Sequence, residues 1–474
     1  MRILQAIAGA EHGGAETCFV DLMKALHEAG LELKVIIRQN AERAATLREA
    51  GIEPVELAFG GYFDFTTRGA SIRDSALLTP DRAARSMCGA CSQHRRGRTA
   101  RDVMIVVATQ CFPPRIGGME TLMCGLADAL AASGRDVTVL ADGHGDAAEA
   151  GFDRDRAYPV LRFPGLKPWR RWRKARVFAA LARGERIDAI FADSWKTAER
   201  IAGAAKDAGV PLVCLAHGDD VTVTDDRRRR RVRRTLGQVT RIAANSAATA
   251  ARVEALGIPR GRIAVVNPGV TPPAEPSAEA RGRIARRLGA GRPLLITVAR
   301  LEPRKGHDRA IAALPALLRD HPETVYAIAG AGPHRSALER LARETGVTDR
   351  VAFLGRVSDD DKAALLDAAD LFVMPVREEV SARSVEGFGI AYIEAAFRSL
   401  PAVAGRSGGV ADAVREGVTG LLCDGEDPDN VERVIREAIA DPQRLARLGA
   451  AARETAEREF AWPVAVERYL ACIG

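Results

Sequence analysis

Short apolar runs recur along the chain, separated by segments of helix length. The first lie at residues 3–8 and 33–37. A longer series follows at 104–108, 137–141, 187–191, 211–216, 241–244 and 263–266, and another at 294–298, 324–329, 351–354, 371–376 and 402–404. Runs that are continuously apolar, rather than alternating, predict strands buried on both faces, and helical spacers between them predict crossover connections. The expectation is an α/β protein with two doubly wound parallel sheets of similar size facing a cleft. The proline-rich stretch 268–276 predicts the hinge between them.

The early runs belong to a repeat. Gly13, Glu16, Leu26, Gly30 and Val35 recur at a constant offset of 104 as Gly117, Glu120, Leu130, Gly134 and Val139. The first copy continues through a helix predicted at 41–50 and a strand at 53–58. Residues 69–101 are then rich in Arg, Ser and Gly with no period. A stretch of about 68 residues cannot complete a doubly wound domain alone. It reads as the remnant of a fused or truncated neighbouring gene, with a regulatory or oligomerisation appendage as the alternative. The expected division is a partial fragment (1–68), a linker (69–101), an N-terminal domain (102–275), a C-terminal domain (276–455) and a closing segment (456–474).

Composition narrows the function class. Hydrophobic content is 47%, aromatic content only 5%, and no apolar run reaches the length of a membrane span. The N-terminus lacks the apolar segment of a signal peptide, so a cytoplasmic protein is expected. The eight cysteines are scattered. Cys88-Gly-Ala-Cys91 with His94 resembles half a zinc site, but no second pair stands at finger spacing and a reduced linker is the reading. A net charge of +7 points to an anionic partner.

The chemically suggestive residues fall at strand ends, where open parallel sheets bind ligands. Gly117-Gly118 follows the run at 104–108, and a plain turn is the competing reading. His217 in Ala-His-Gly-Asp-Asp follows 211–216, and a structural histidine competes. Arg300 and Lys305 follow 294–298 and place two cations where a diphosphate would leave, with Arg304 and Arg309 nearby as competing or solvated charges. Gly330-Ala-Gly332 looks superficially like a dinucleotide fingerprint, yet Arg335 occupies the third glycine position and no acid ends the next strand, which disfavours NAD.

Glu386-Gly-Phe-Gly-Ile-Ala-Tyr-Ile-Glu394 follows 371–376 as strand, glycine loop and helix start. Unpaired N–H groups and the helix dipole suit a phosphate there, and carboxylates on both sides suit the hydroxyls of a sugar nucleotide. Solvated helix glutamates are the bland alternative. Two basic segments remain, Trp169-Arg-Arg-Trp-Arg-Lys174 and Arg227–Arg234 with seven arginines in eight residues. Solvated helix faces compete with attraction to an anionic membrane surface or a phosphorylated acceptor. Nothing resembles a nucleic-acid-binding fold.

With these residues in order, the chain from about 101 to 474 resembles a retaining glycosyltransferase of family 4 (glycosyl transferase group 1) with the GT-B fold. Pro113-Pro-Arg-Ile-Gly-Gly118, Arg300–Gly306 and Glu386–Glu394 carry the resemblance. It implies that Gly118 approaches the donor diphosphate and that Arg300 and Lys305 hold it as negative charge builds. It further implies Gly332 as a donor-site residue, Glu394 on the ribose, and Glu386 with the amides of Phe388, Gly389 and Ile390 on the transferred sugar and phosphate. His217 would sit near the reacting carbon. No metal and no cofactor is implied, because fixed cations and the helix dipole supply the stabilisation. The implied partners are a nucleotide-sugar donor and a glycan or lipid acceptor, with a lean towards mannose, at the inner face of the plasma membrane. A sugar-nucleotide epimerase and a non-catalytic GT-B scaffold are the alternative readings.

Overall fold

The structure is a computed structural model that describes residues 2–7, 23–24, 27–28, 32–38, 41–57, 104–184, 186–223, 225–379 and 385–473. The Gly13–Thr17 turn, the linker at 69–101 and the Cys88, Cys91 and His94 group lie outside the described residues. The chain divides into two compact units, Met1–Arg96 and Gly97–Gly474.

In the first unit, strands β1 (Arg2–Ile7), β2 (Glu32–Arg38) and β3 (Pro54–Leu57) form a parallel sheet in the order β1-β2-β3. The helix Ala41–Glu49 packs Ala44 and Leu47 with Val35 and Ile37 into a small core.

The second unit holds two larger sheets. The first comprises β4 (Met104–Thr109), β5 (Asp136–Asp142), β6 (Val160–Phe163), β7 (Ile187–Ala192), β8 (Leu212–Ala216), β9 (Arg241–Ala244) and β10 (Ile263–Val265). All pair in parallel, in the order β10-β9-β8-β7-β4-β5-β6. The second comprises β11 (Leu294–Val298), β12 (Val325–Ala329), β13 (Val351–Gly355), β14 (Leu371–Met374), β15 (Ala402–Gly405) and β16 (Gly420–Cys423). These too are parallel, in the order β13-β12-β11-β14-β15-β16. Each sheet reverses its winding once, between β4 and β7 and between β11 and β14. Loops leaving those strand ends splay apart and open a crevice for ligands.

The order β4-β5-β6 repeats that of β1-β2-β3, and β5 lies 104 residues after β2. Arg2 pairs with Glu32 but Met104 with Asp136, so the strand-to-strand connection is two residues longer in the second copy. The strands β6 and β16 do not figure among the apolar runs of the sequence. Both are four-residue edge strands. β6 carries Arg162, ion-paired to Asp153 at 2.7 Å, and β16 opens on glycine, so neither shows an uninterrupted apolar run. The segment Trp169–Lys174 lies in the helix Lys167–Gly184 and does not form one solvated face. Lys174 is buried and pairs with Asp142 at 2.7 Å, whereas Trp169 and Trp172 are exposed.

The two domains are tied together behind the crevice. Val270 in the proline-rich connection donates its N–H to Phe460 O at 2.8 Å. The helix Pro442–Glu459 runs past the boundary expected at 456, and only Trp462–Leu470 returns to the first domain. There Tyr469 meets Phe191 edge-on at 5.9 Å. The Trp462 ring fills a notch made by two glycines. A Cβ on Gly125 would lie 2.2 Å from that ring, and one on Gly269 2.4 Å from it.

Glycine in a helix interior ordinarily costs about 1 kcal/mol relative to alanine. At Gly125 the ring contact reverses the sign, so Gly125→Ala is expected to destabilise by about 1–3 kcal/mol through overpacking. In a Trp462→Ala background the same change should be neutral or stabilising. Urea midpoints of the four proteins check this, and additive effects would contradict the notch.

Candidate functional site

The connection from β11 to the helix His307–Asp320 is shaped by glycines that admit other backbones. A Cβ on Gly330 would lie 1.8 Å from Ala299 O, and one on Gly332 2.4 Å from Leu301 O. Gly332 thus lies against the loop that carries Arg300. Gly306 adopts a φ of +74° and would, with a side chain, run 2.1 Å from Pro375 O in the connection leaving β14. The two switch-point loops are pressed together as a result. Beneath them, buried His307 lies 3.2 Å from Arg300 O through Nε2, and Tyr326 is 2.6 Å from Thr297 Oγ1 through its hydroxyl. Burial pushes the His307 pKa down to about 4, so the imidazole is neutral near pH 7.

Arg304 and Lys305 emerge from a single 3₁₀ turn, Pro303–Lys305. Both reach the same carboxylate oxygen: Arg304 Nη1 donates to Glu386 Oε2 at 2.9 Å and Lys305 Nζ at 2.5 Å. Arg304 is therefore not a solvated bystander. Its side chain is 8% exposed and also donates from Nε to Glu302 at 3.1 Å. Arg300 behaves in the opposite way, 69% exposed and paired with Glu302 at 2.6 Å. Arg309 is partly covered and donates to Glu426 O at 3.3 Å.

Burial is the largest influence on the Glu386 carboxyl and opposes its ionisation. The Lys305 and Arg304 charges and their hydrogen bonds together outweigh it and hold the pKa below the usual carboxylate range. From Glu386 the chain passes through Gly387 and Phe388 to Gly389, at φ +100°, and into the helix Ile390–Phe397. The side chain of Phe388 is buried against Phe460, with ring centroids 5.5 Å apart. Its loop therefore has a fixed floor and presents backbone rather than side chain. Gly389 caps the helix without a side-chain hydrogen bond, leaving the first N–H groups open to an acceptor.

Glu394, further along that helix, is paired with Lys362 from the helix Asp359–Ala368 at 2.8 Å. Burial lowers the Lys362 pKa, but the Glu394 and Asp359 carboxylates exceed it and the net shift is upward.

The Glu386 loop touches the first domain directly. Val385 N–H donates to Asp219 Oδ1 at 2.8 Å. A side chain on Gly218 would approach Gly387 Cα to 3.2 Å, and one on Gly387 would lie 2.8 Å from Asn245 Nδ2. His217 begins that first-domain loop, half-buried, with Nε2 at 3.1 Å from Asp193 O. The structure thus brings His217, Lys305 and Glu386 to one seam between the domains. Arg300 and Glu394 stand on its margins; Gly118 opens the helix Gly118–Ala132 after β4, a Cβ there would meet nothing within 4 Å, and no contact joins it to the seam among the described residues. Arg304, Asp219, Asn245 and Lys362 complete the arrangement and were not singled out by sequence pattern for this site. Arg304 carries a local signal as the immediate neighbour of Lys305, and Asp219 as part of the Ala-His-Gly-Asp-Asp segment around His217. Among the described residues, no three His, Cys, Asp or Glu side chains gather as they would to hold a metal ion.

Arg300, Arg304 and Lys305 against Glu302 and Glu386, beside an open helix N-terminus, leave a net positive site matched to a diphosphate. The family model for glycosyl transferases group 1 matches residues 282–455, and that for Glycosyltransferase Family 4 matches residues 116–272. A GDP-mannose-dependent alpha-(1-6)-phosphatidylinositol monomannoside mannosyltransferase of Mycolicibacterium smegmatis is 32% identical over 365 residues, 76% of this chain and 95% of that protein. A D-inositol 3-phosphate glycosyltransferase of Streptomyces avermitilis is 35% identical over 218 residues, 44% of this chain and 45% of that one. Among solved structures, Anabaena HepE in complex with UDP superposes with a TM-score of 0.65 at 22% identity, covering 78% of this chain and 99% of that one.

Removing the Glu386 charge leaves Arg304 and Lys305 buried without their shared partner. Glu386→Gln is expected to cost about 3 kcal/mol at pH 7 in ligand-free protein. Because the folded pKa lies below the unfolded value of about 4.3, this contribution is full above that pH and is lost as the pH falls through the folded value. Urea midpoints between pH 3 and 7 should therefore show wild type and variant converging in acid. A gap that stays constant with pH would contradict the ion cluster.

Proposed function

The chain belongs to the group 1 glycosyltransferases of family 4 and is a transferase enzyme with the GT-B fold, and on that premise we propose that it moves mannose, with retention, from GDP-mannose to a lipid-linked or polysaccharide acceptor. The 32% identity to GDP-mannose-dependent mannosyltransferases over 76% of the chain carries the donor assignment. A UDP-hexose is the alternative donor.

In this reading residues 276–455 bind the donor, residues 102–275 receive the acceptor, and residues 456–474 join the two. Residues 1–68, followed by the 69–101 linker, are a partial copy of an N-terminal domain. Lys305 and Arg300 face the diphosphate, and the amides of Phe388, Gly389 and Ile390 receive its oxygens at the helix start. Gly118 and Gly332 keep backbone close to the donor, Glu394 exchanges Lys362 for the ribose hydroxyls, and Glu386 holds the sugar. His217 sits by the anomeric carbon.

The acceptor hydroxyl oxygen bonds to that carbon on the face from which the nucleotide leaves. The bond from the carbon to the diphosphate oxygen breaks, and the hydroxyl proton passes to the departing phosphate. Fixed cations and amides stabilise the charge that develops on the diphosphate without having to reorganise.

The work site in this reading is the cytoplasmic face of a membrane. No helix among the described residues is long and apolar enough to cross one. Ile116, Leu166, Trp169 and Trp172 are exposed apolar side chains beside arginines, a composition suited to an anionic lipid surface.

Incubation of the full chain with GDP-[14C]mannose and a bacterial lipid extract should give a labelled product that α-mannosidase cleaves. Glu394→Ala is expected to lower the rate at least ~100-fold while leaving the circular dichroism spectrum unchanged. A β-linked product would contradict retention. Label transfer from UDP-hexose but not GDP-mannose would move the donor, and undiminished transfer by Glu394→Ala would remove that residue from the donor site.

A further inference from the structure

The arginine run is ordinarily the kind of sequence that forms a solvated helix face. Here the helix Asp226–Leu236 closes one side of a groove of about 860 Å³. Trp195 and Lys196, at the start of the helix Trp195–Asp207, and Arg171 also line it.

Part of this charge is already matched. Arg231 grips Glu199 with two hydrogen bonds, at 2.5 and 2.6 Å, and Arg234 lies 3.9 Å from the same carboxylate. Lys196 pairs with Asp220 at 3.4 Å, and Arg171 donates to Gln110 Oε1 at 3.1 Å. Arg227, Arg228 and Arg230 make no ion pair with any described residue. The Nε atoms of Arg171 and Arg228 are buried without a hydrogen-bond partner among the described residues. Under them lies Trp195, 4% exposed, with Arg228 and Arg231 at 5.9 and 5.5 Å from its ring.

Asp225 also lines the groove, its carboxylate accepting from Arg228 N–H at 2.9 Å, so seven cations face one acid there. A concave site with such an excess of one sign concentrates the opposite sign, and guanidinium forks match phosphate oxygens in geometry. The buried indole offers no stacking platform, which sets the groove apart from a nucleic-acid channel.

Its position relates it to the seam between the domains. Trp195 donates from Nε1 to Asp220 O at 3.1 Å, so the groove wall is fastened to the loop that begins at His217. His217 in turn contacts Asp193 O, two residues before Trp195, and Asp219 accepts from Val385 in the other domain. The groove and the seam thus share the strand-end loops at 193–196 and 217–221.

We propose that this groove is a phosphate subsite for the acceptor: it holds a phosphate monoester or diester of the acceptor while the hydroxyl to be glycosylated lies at His217. The inference rests on the transferase reading above, in that an acceptor enters from the first domain. The phosphate belongs either to a soluble phosphorylated polyol or to a lipid headgroup.

The test uses the full-length protein with inorganic pyrophosphate as the probe, followed by calorimetric titration with the donor site filled by saturating GDP. Wild type should bind pyrophosphate, more weakly as salt rises. Arg228→Gln/Arg230→Gln should weaken binding at least about tenfold, with the melting temperature unchanged. Lys305→Ala should retain it. No binding by wild type, or equal binding by the double variant, overturns the subsite.

Displacement of pyrophosphate by free myo-inositol 1-phosphate identifies the soluble source, and displacement only by phosphatidylinositol vesicles identifies the lipid source. Displacement by neither overturns the acceptor assignment. Failure of GDP to stabilise the protein would count against the donor reading alone, because the contrast between Arg228→Gln/Arg230→Gln and Lys305→Ala is also readable without nucleotide.

Discussion

A single buried carboxylate organises the seam between the two domains. Glu386 accepts from Arg304 and Lys305 on one oxygen, and without it two covered cations would face each other across the same pocket. Pairing overcomes the cost of burial only when the geometry is good and the remaining groups are satisfied. The surrounding backbone supplies that geometry. Glu386 O accepts from Gly409 N–H at 2.9 Å, and Gly408 and Gly409 crowd so near the loop that side chains there would strike Glu386 O and Gly387 O at 2.1 Å. The cluster is therefore fixed from both sides before any ligand arrives. With Arg300 and Glu302 included, three cations and two carboxylates keep a positive remainder, which a diphosphate can use without rearranging the protein.

The rest of the second unit holds this cluster at the mouth of two sheets. Each sheet reverses direction beside one of the loops involved, and Gly306 lets the loops from β11 and β14 meet. The first domain reaches the cluster through Asp219 and Gly218, while the Trp462 notch secures the domains on the far side. Contacts at both places connect separately folded cores, so a change of domain angle would be felt at Val385 and at Trp462 together.

Much of this was legible in the sequence because it depends on local chain chemistry. The continuously apolar runs marked the buried strands, and Gly-Phe-Gly before an apolar stretch marked the helix that runs from Ile390 to Phe397. The edge strands β6 and β16 escaped because a strand with one open side needs no apolar run. The division of labour between Arg300, Arg304 and Lys305 also escaped. Three cations within six residues look alike in sequence, and only the 3₁₀ turn at Pro303–Lys305 decides which of them turn inward. Lys362 and Asn245 reach the site from distant elements, and no spacing rule connects them to Glu386 or Glu394. The arginine run was visible at once, but its concave face depends on Trp195 and Arg171 from two other helices.

On this geometry the Glu386 seam is expected to bind a nucleoside diphosphate through its phosphates. Thermal unfolding of the full-length protein with GDP and with guanosine isolates that contribution, since the two ligands differ only in the diphosphate. A ligand at ~100 times its dissociation constant adds about 2.7 kcal/mol to the folded state, enough to raise the melting temperature by several degrees. That shift is expected with GDP, little with guanosine, and is lost in Lys305→Ala. Equal shifts from the two ligands, or a full GDP shift in Lys305→Ala, would contradict it.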